Sequence, residues 1–187
     1  TDVTGNVTSV QIAGKTLNES TGLYYYNGAD GAAGTVSDQS TLNGETPNAT
    51  FDPSTGTLTL NELNVNAETG IVWNYSHSSS KTHNLVIKLE GSTNIINSGS
   101  TSAINGKSGY PNDGPSLTII GSGTLTLNGS YGIWVWHDIT IGGNVVVNAT
   151  GSTGGIYNND SYGKIVIQDK AIVTAEGKTE YGIKADN

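Results

Sequence analysis

A small residue followed by isoleucine returns five times in this chain: Gly70-Ile71, Ala103-Ile104, Gly132-Ile133, Gly155-Ile156 and Gly182-Ile183. A second marker keeps phase with the first. Short alternating strands recur at Leu58, Leu85, Leu117, Ile139 and Ile165, followed two residues on by Leu60, Ile87, Ile119, Ile141 and Ile167. By subtraction these starts lie 27, 32, 22 and 26 residues apart. The stretch Ser116–His137 shows the unit whole: a strand on Leu117 and Ile119, a Gly/Ser turn, and a strand on Leu125 and Leu127. An Asn-Gly-Ser corner and a third strand opened by Gly132-Ile133 complete it. Three strands and three corners in about two dozen residues is the size of one coil of a parallel β-helix. Alternation with period two turns Leu, Ile and Val inward on every strand, so each coil covers the next with an apolar column. The sequence therefore predicts an all-β fold, a single-stranded parallel β-helix of about five coils and roughly 25 Å of rod.

The repeat occupies residues 49–187, and residues 1–48 read differently. They carry weak alternation over Val7–Leu17, a β-like run Leu23–Tyr26 and a polar Gly-rich connection, Asn27–Gly44. An open solenoid end exposes unpaired backbone and apolar interior, so this segment is expected to be a strand-bearing cap, with at least one of Tyr24, Tyr25 and Tyr26 over the first coil. Trp73 has inward parity and is assigned to packing. Asn66, Asn97, Asn128 and Asn148 fall near one corner and are expected to form a coil-to-coil amide ladder. The longer spacings place insertions at Ser76–Asn84 and Lys107–Pro115. The start lacks Met and a signal-like pattern, and nothing after the last copy resembles a cap. The chain thus reads as a piece of a longer protein, or as one whose last coil packs on another molecule.

Charge removes several function classes. All eight basic residues are lysine against sixteen acids, giving a net charge of −8. Nucleic acid and anionic lipid are poor partners for such a surface. Cysteine is absent, which excludes disulfides and thiol chemistry. No apolar run is long enough to span a bilayer as a helix.

Strand parity also nominates a surface. The residues after each marker isoleucine, Val72, Asn105, Trp134, Tyr157 and Lys184, form one outward column; Asn74, Lys107, Trp136, Asn159 and Asp186 form a second. Tyr131 and Tyr181 sit at the corner beside them. Sugars stack their apolar faces on flat rings while amides and carboxylates take the hydroxyls. The glycan-binding candidates are therefore Trp134, Trp136, Tyr157, Tyr131, Asn159, Lys184 and Asp186. The competing reading covers the tryptophans with a loop, or leaves them as ordinary surface aromatics. Asp138, Asp160 and Asp186 each leave a third strand, and together they could hold Ca²⁺, which prefers oxygen ligands. They could also supply a glycosidase's acid/base pair, or be solvated turn residues. His77 and His83 are a weaker metal pair in a Ser-rich insertion.

The segments LVIKLEGSTNIINSGSTSAING (85–106), PSLTIIGSGTLTLNGSYGIWVW (115–136) and DITIGGNVVVNATGSTGGIY (138–157) resemble the carbohydrate-binding-like β-helical domains of bacterial surface proteins. FDPSTGTLTLNELNV (51–65) is similar to the lead-in of that fold. The resemblance implies a right-handed, polysaccharide-lyase-like β-helix on an exported or cell-surface protein. Its partner would be a polysaccharide or surface glycan; calcium at the three acids is the one cofactor the residues suggest. The catalytic residues of β-helix enzymes do not carry over. Lyases of this shape are expected to use a strong base, usually arginine or lysine, beside calcium-binding acids, and the chain has no arginine. The nearest match to a polygalacturonase signature is Asn158-Asn159-Asp160-Ser161, without an Asp-Asp pair. The expected function is non-catalytic, adhesin-type glycan binding. A structural stalk is the alternative, and a polysaccharide-degrading enzyme comes after it.

Overall fold

A computed structural model describes residues 7–74, 84–107 and 115–186. The chain is all-β, with seventeen strands in one hydrogen-bonded network and no α-helix among the described residues. The sheet is mixed, and its two kinds of pairing divide along the sequence.

The antiparallel part comes first. Strand β1 (Val10–Ile12) turns through Ala13 and Gly14, both at positive φ, into β2 (Lys15–Leu17). Two consecutive left-handed residues are what a tight hairpin needs. Strand β3 (Tyr24–Tyr26) pairs antiparallel with β4 (Thr35–Ser37) and β5 (Ala49–Asp52), and β5 pairs antiparallel with β6 (Thr57–Asn61). The turn from β5 to β6 is held by Asp52, whose carboxylate accepts from Ser54 N at 2.9 Å and from Thr55 Oγ1 at 2.9 Å. Antiparallel pairing thus runs through Ala49–Asp52.

From β6 onward each strand pairs parallel with its counterpart one copy away. Strands β7 (Asn64–Ala67), β8 (Ile71–Asn74), β9 (Asn84–Glu90), β10 (Thr93–Ser98) and β11 (Ile104–Lys107) give the first two copies. Strand β12 (Ser116–Val135) runs through a whole copy, bending where Gly121 and Gly123 take φ of 102° and 112°. Strands β13 (Ile139–Ile141), β14 (Asn144–Asn158), β15 (Ile165–Ile167), β16 (Ile172–Gly177) and β17 (Ile183–Ala185) complete the series. Three registers result. Leu58, Ile87, Ile119, Ile141 and Ile167 align on the first line of strands. Val65, Ile96, Leu127, Ala149 and Ala175 align on the second. Ile71, Ile104, Ile133, Ile156 and Ile183 align on the third.

These columns fill one core, in which Leu58, Ile87, Val65, Ile96, Ile104, Ile133 and Ile156 are fully buried. Trp73 joins them at 1% exposure, as its parity requires. The small residue before each isoleucine has a steric cause: a Cβ on Gly70 would stand 2.1 Å from the Ala103 carbonyl oxygen. The first copy is covered on all three lines. Strand β5 pairs with β6, β1 pairs antiparallel with β8, and the turn Ala29–Gly31 lies against β7. Asn27 meets the open edge of β7, its Oδ1 accepting from Asn64 N at 3.0 Å. Tyr25 is buried there, and its hydroxyl accepts from Gly34 N at 2.8 Å. On the last copy Ile167, Ile172 and Ile183 remain 45–61% exposed.

Two alignments differ from the sequence reading. Leu58 lies opposite Ile87, not Leu85. Asn66, Asn97 and Asn128 align as expected, with Asn128 Nδ2 donating to Asn97 Oδ1 at 2.7 Å, but Asn148 lies opposite Thr126. Both are slips of two residues, which leave every side chain on its expected face and so escape a period-two pattern.

Candidate functional site

The outward column on the third line is real in register. Val72 lies beside Asn105, Asn105 beside Trp134, Trp134 beside Tyr157 and Tyr157 beside Lys184. Its exposure is uneven. Asn105 was expected on the surface but is only 8% exposed, closed in between neighbouring strands. Trp134, Tyr157, Trp136 and Tyr131 are half-buried and Lys184 is exposed.

Four rings gather at the C-terminal half of the column. Tyr131 stacks on Trp134 (centroids 6.1 Å, planes 29° apart) and on Tyr157 (5.6 Å, 26°). Tyr181 adds a tilted ring 5.6 Å from Tyr157 and 6.4 Å from Tyr131. Offset pairs at these separations suit the opposed charge of ring face and edge. Gly154 makes the gathering possible. It lies opposite Tyr131, and a Cβ there would come within 2.7 Å of Tyr181 and 3.0 Å of Tyr131. Trp136 makes no ring contact with these four. The indole N–H groups of Trp134 and Trp136 are buried without a partner among the described residues, so neither offers a polar handle to a ligand.

Polar groups rim the rings. Tyr157 Oη lies 2.5 Å from both Asp186 Oδ2 and Asn159 Oδ1. A phenol has one proton, and of the two oxygens that face it the charged carboxylate is the stronger acceptor. Lys184 Nζ is 2.9 Å from Asp186 Oδ1 and sits 5.3 Å and 5.2 Å from the ring centres of Tyr157 and Tyr181. Burial, then the bond to Asp186, holds the Tyr157 hydroxyl well above the ordinary phenol range. Burial, then Tyr131, does the same for Tyr181. The Tyr157 hydroxyl and then Lys184 hold Asp186 below the usual carboxylate range, while Asp186 holds Lys184 above the ordinary lysine value. At neutral pH the rim is two neutral phenols and a closed ion pair.

The three acids are not brought to one place. Asp186 belongs to the aromatic rim. Asp138 fixes a corner, its Oδ1 accepting from Lys164 N at 3.0 Å. Asp160 is 5% exposed, accepts from Tyr162 N at 3.2 Å, and has its Oδ2 3.7 Å from His137 Nε2. His137 Nδ1 accepts from Asp138 N at 2.8 Å, which leaves Nε2 facing Asp160. Among the described residues no group of three His, Cys, Asp or Glu, the expected Asp138, Asp160 and Asp186 included, is placed to hold a metal ion. His77 and His83, and the side chains of Asn74 and Lys107, lie outside the described residues.

Strand parity in the sequence put Trp134, Tyr157 and Lys184 in one column, as their register does. It missed Gly154 and the His137–Asp160 contact, because neither follows from alternation. Two clefts lie elsewhere, between β2 and β4 (about 440 Å³, around Lys15 and Thr35) and around Asn18 and Pro53 (about 390 Å³). Neither contains an aromatic ring. The aromatic cluster thus lies apart from both clefts, partly open to solvent. No protein-family model, curated protein or solved structure matches the chain.

Proposed function

We propose that this is a non-catalytic glycan-binding domain of a bacterial surface or secreted protein, in which the Tyr131–Trp134–Tyr157–Tyr181 face meets the sugar. The parallel lines are read as faces of one right-handed β-helix of about five coils over residues 49–187, with residues 1–48 as its cap. The resemblance to carbohydrate-binding-like surface domains belongs to the same reading. The observation that carries it is the register of Trp134 with Tyr157, which sets aromatic surface on consecutive copies beside an amide, a carboxylate and an ammonium group. Rings supply the apolar contact, and Asn159 and Asp186 supply the hydroxyl partners, with Lys184 closing the rim beside them.

Affinity electrophoresis through gels containing plant, host or microbial polysaccharides tests it. Wild-type protein is retarded on at least one glycan, and Trp134→Ala abolishes the retardation while keeping the circular-dichroism spectrum. Free migration of the wild type through every gel rejects the reading. One observation favours a second function, a stiff stalk. The rings stack on one another and are half-buried, as a purely structural aromatic ladder would be. A stalk predicts that the same substitution lowers stability and changes nothing else.

A further inference from the structure

The most informative group on the aromatic face is the one that covers it. Lys184 Nζ lies over two phenol rings at 5.3 Å and 5.2 Å while Asp186 Oδ1 holds it at 2.9 Å. Two ring faces and a carboxylate around one ammonium form a cation cradle, with ring quadrupoles and the anion acting together. Here the chain's own lysine fills it. The occupant is loosely held: its side chain is 45% exposed, its tether is a flexible four-carbon stem, and the ion pair faces solvent. The rest of the surroundings also favour a cation. Glu180 acts on Tyr157, Tyr181 and Lys184, and the whole chain carries −8.

We infer that the face selects glycans bearing free amino groups, whose sugar ammonium displaces Lys184 from the Tyr157–Tyr181–Asp186 cradle. This rests on the glycan-binding reading above and narrows it to a substrate class. An amino sugar presents the two things the site offers side by side, an apolar ring face for Trp134 and Tyr131 and a cation for the neighbouring cradle. An N-acetylated sugar offers no charge to the cradle. A uronate brings a negative charge against Asp186 and Glu180.

Calorimetric titration with β-1,4-linked glucosamine oligomers, the same oligomers fully N-acetylated, and choline separates the outcomes. The free-amine oligomer binds at least about tenfold more tightly than the acetylated one. Lys184→Met, which removes the internal competitor and keeps the stem, tightens amine binding several-fold, and Asp186→Asn weakens it. Equal binding of both oligomers overturns the selectivity and leaves the glycan reading standing. Failure of the two oligomers and of every polysaccharide gel takes down the glycan reading itself. Choline binding as tightly as the amine oligomer, or weaker amine binding by Lys184→Met, overturns the inference: the first makes the sugar irrelevant, the second makes the lysine a ligand contact.

Discussion

Ile71, Ile104, Ile133, Ile156 and Ile183 occupy one side of the third line of strands, and Val72, Asn105, Trp134, Tyr157 and Lys184 follow them on the other. The backbone treats the two sets alike, copy upon copy at one register. The side chains do not. The inner column repeats a single residue: Ile104, Ile133 and Ile156 each lie between two isoleucines over one core, while Ile71 meets Ile12 on its other side and Ile183 is left 46% exposed at the end. The outer column changes at every step, since no packing rule dictates it. Stability is therefore expected to reside inside and chemistry outside, within residues adjacent in the chain.

The sharpest way to break that contrast is to truncate neighbours. Ile133 is fully buried, and Ile133→Ala should cost about 2–5 kcal/mol, lost transfer energy plus the cavity left behind. Trp134→Ala removes a half-buried ring with one stacked partner, Tyr131, and should cost about 1 kcal/mol. Urea unfolding of the two variants measures both. Equal losses would make the outer column a second core, and the stalk reading would then replace glycan binding.

Legibility in the sequence follows the same division. Inward parity was readable because burial enforces period two on every strand, and the five Ile positions came out in register without exception. Register between copies was less readable. Leu58 and Asn148 were each misplaced by two residues, a slip that leaves the hydrophobic pattern unchanged. Only corner lengths, set by backbone hydrogen bonds and close glycine contacts, distinguish the two alignments. The antiparallel pairing of Ala49–Asp52 was hidden for the same reason, since alternation does not encode strand direction. At the site, parity put Trp134, Tyr157 and Lys184 together but could not show the rings turned toward one another, nor Asn105 shut in. Those depend on Gly154 and on neighbours far along the chain.

A second substitution probes the corner instead of the column. At Gly155 a Cβ would stand 2.5 Å from the Gly182 carbonyl oxygen and 2.7 Å from Glu176 N, both backbone atoms that cannot rotate away. Gly155→Val should destabilise by about 1–3 kcal/mol through overpacking. It should also disturb the spacing of Tyr157 and Tyr181, because Gly155 and Gly182 set the approach of their strands. Near-ultraviolet circular dichroism reads the aromatic environment. A spectrum unchanged by a substitution that does destabilise would mean that the outer column keeps its geometry whatever the inner one does.

The smallest effect concerns the rim. Asp186 is held below the usual carboxylate value of 3.8 by the Tyr157 hydroxyl and Lys184, so its contribution to stability is present above that value. It is lost as pH falls through the lower, folded-state value, because the unfolded chain then binds the proton first. Other carboxylates contribute to acid unfolding as well, so the comparison has to be made with Asp186→Asn. Between about pH 6 and about pH 2 the wild type should lose slightly more stability than the variant, read as the difference in urea midpoints. The pair is partly open to solvent, with side chains 45% and 35% exposed, and added salt should shrink the difference further. A large, salt-insensitive difference would mean that the rim is structurally coupled to the core, and the outer column could then no longer be treated as free to change for binding alone.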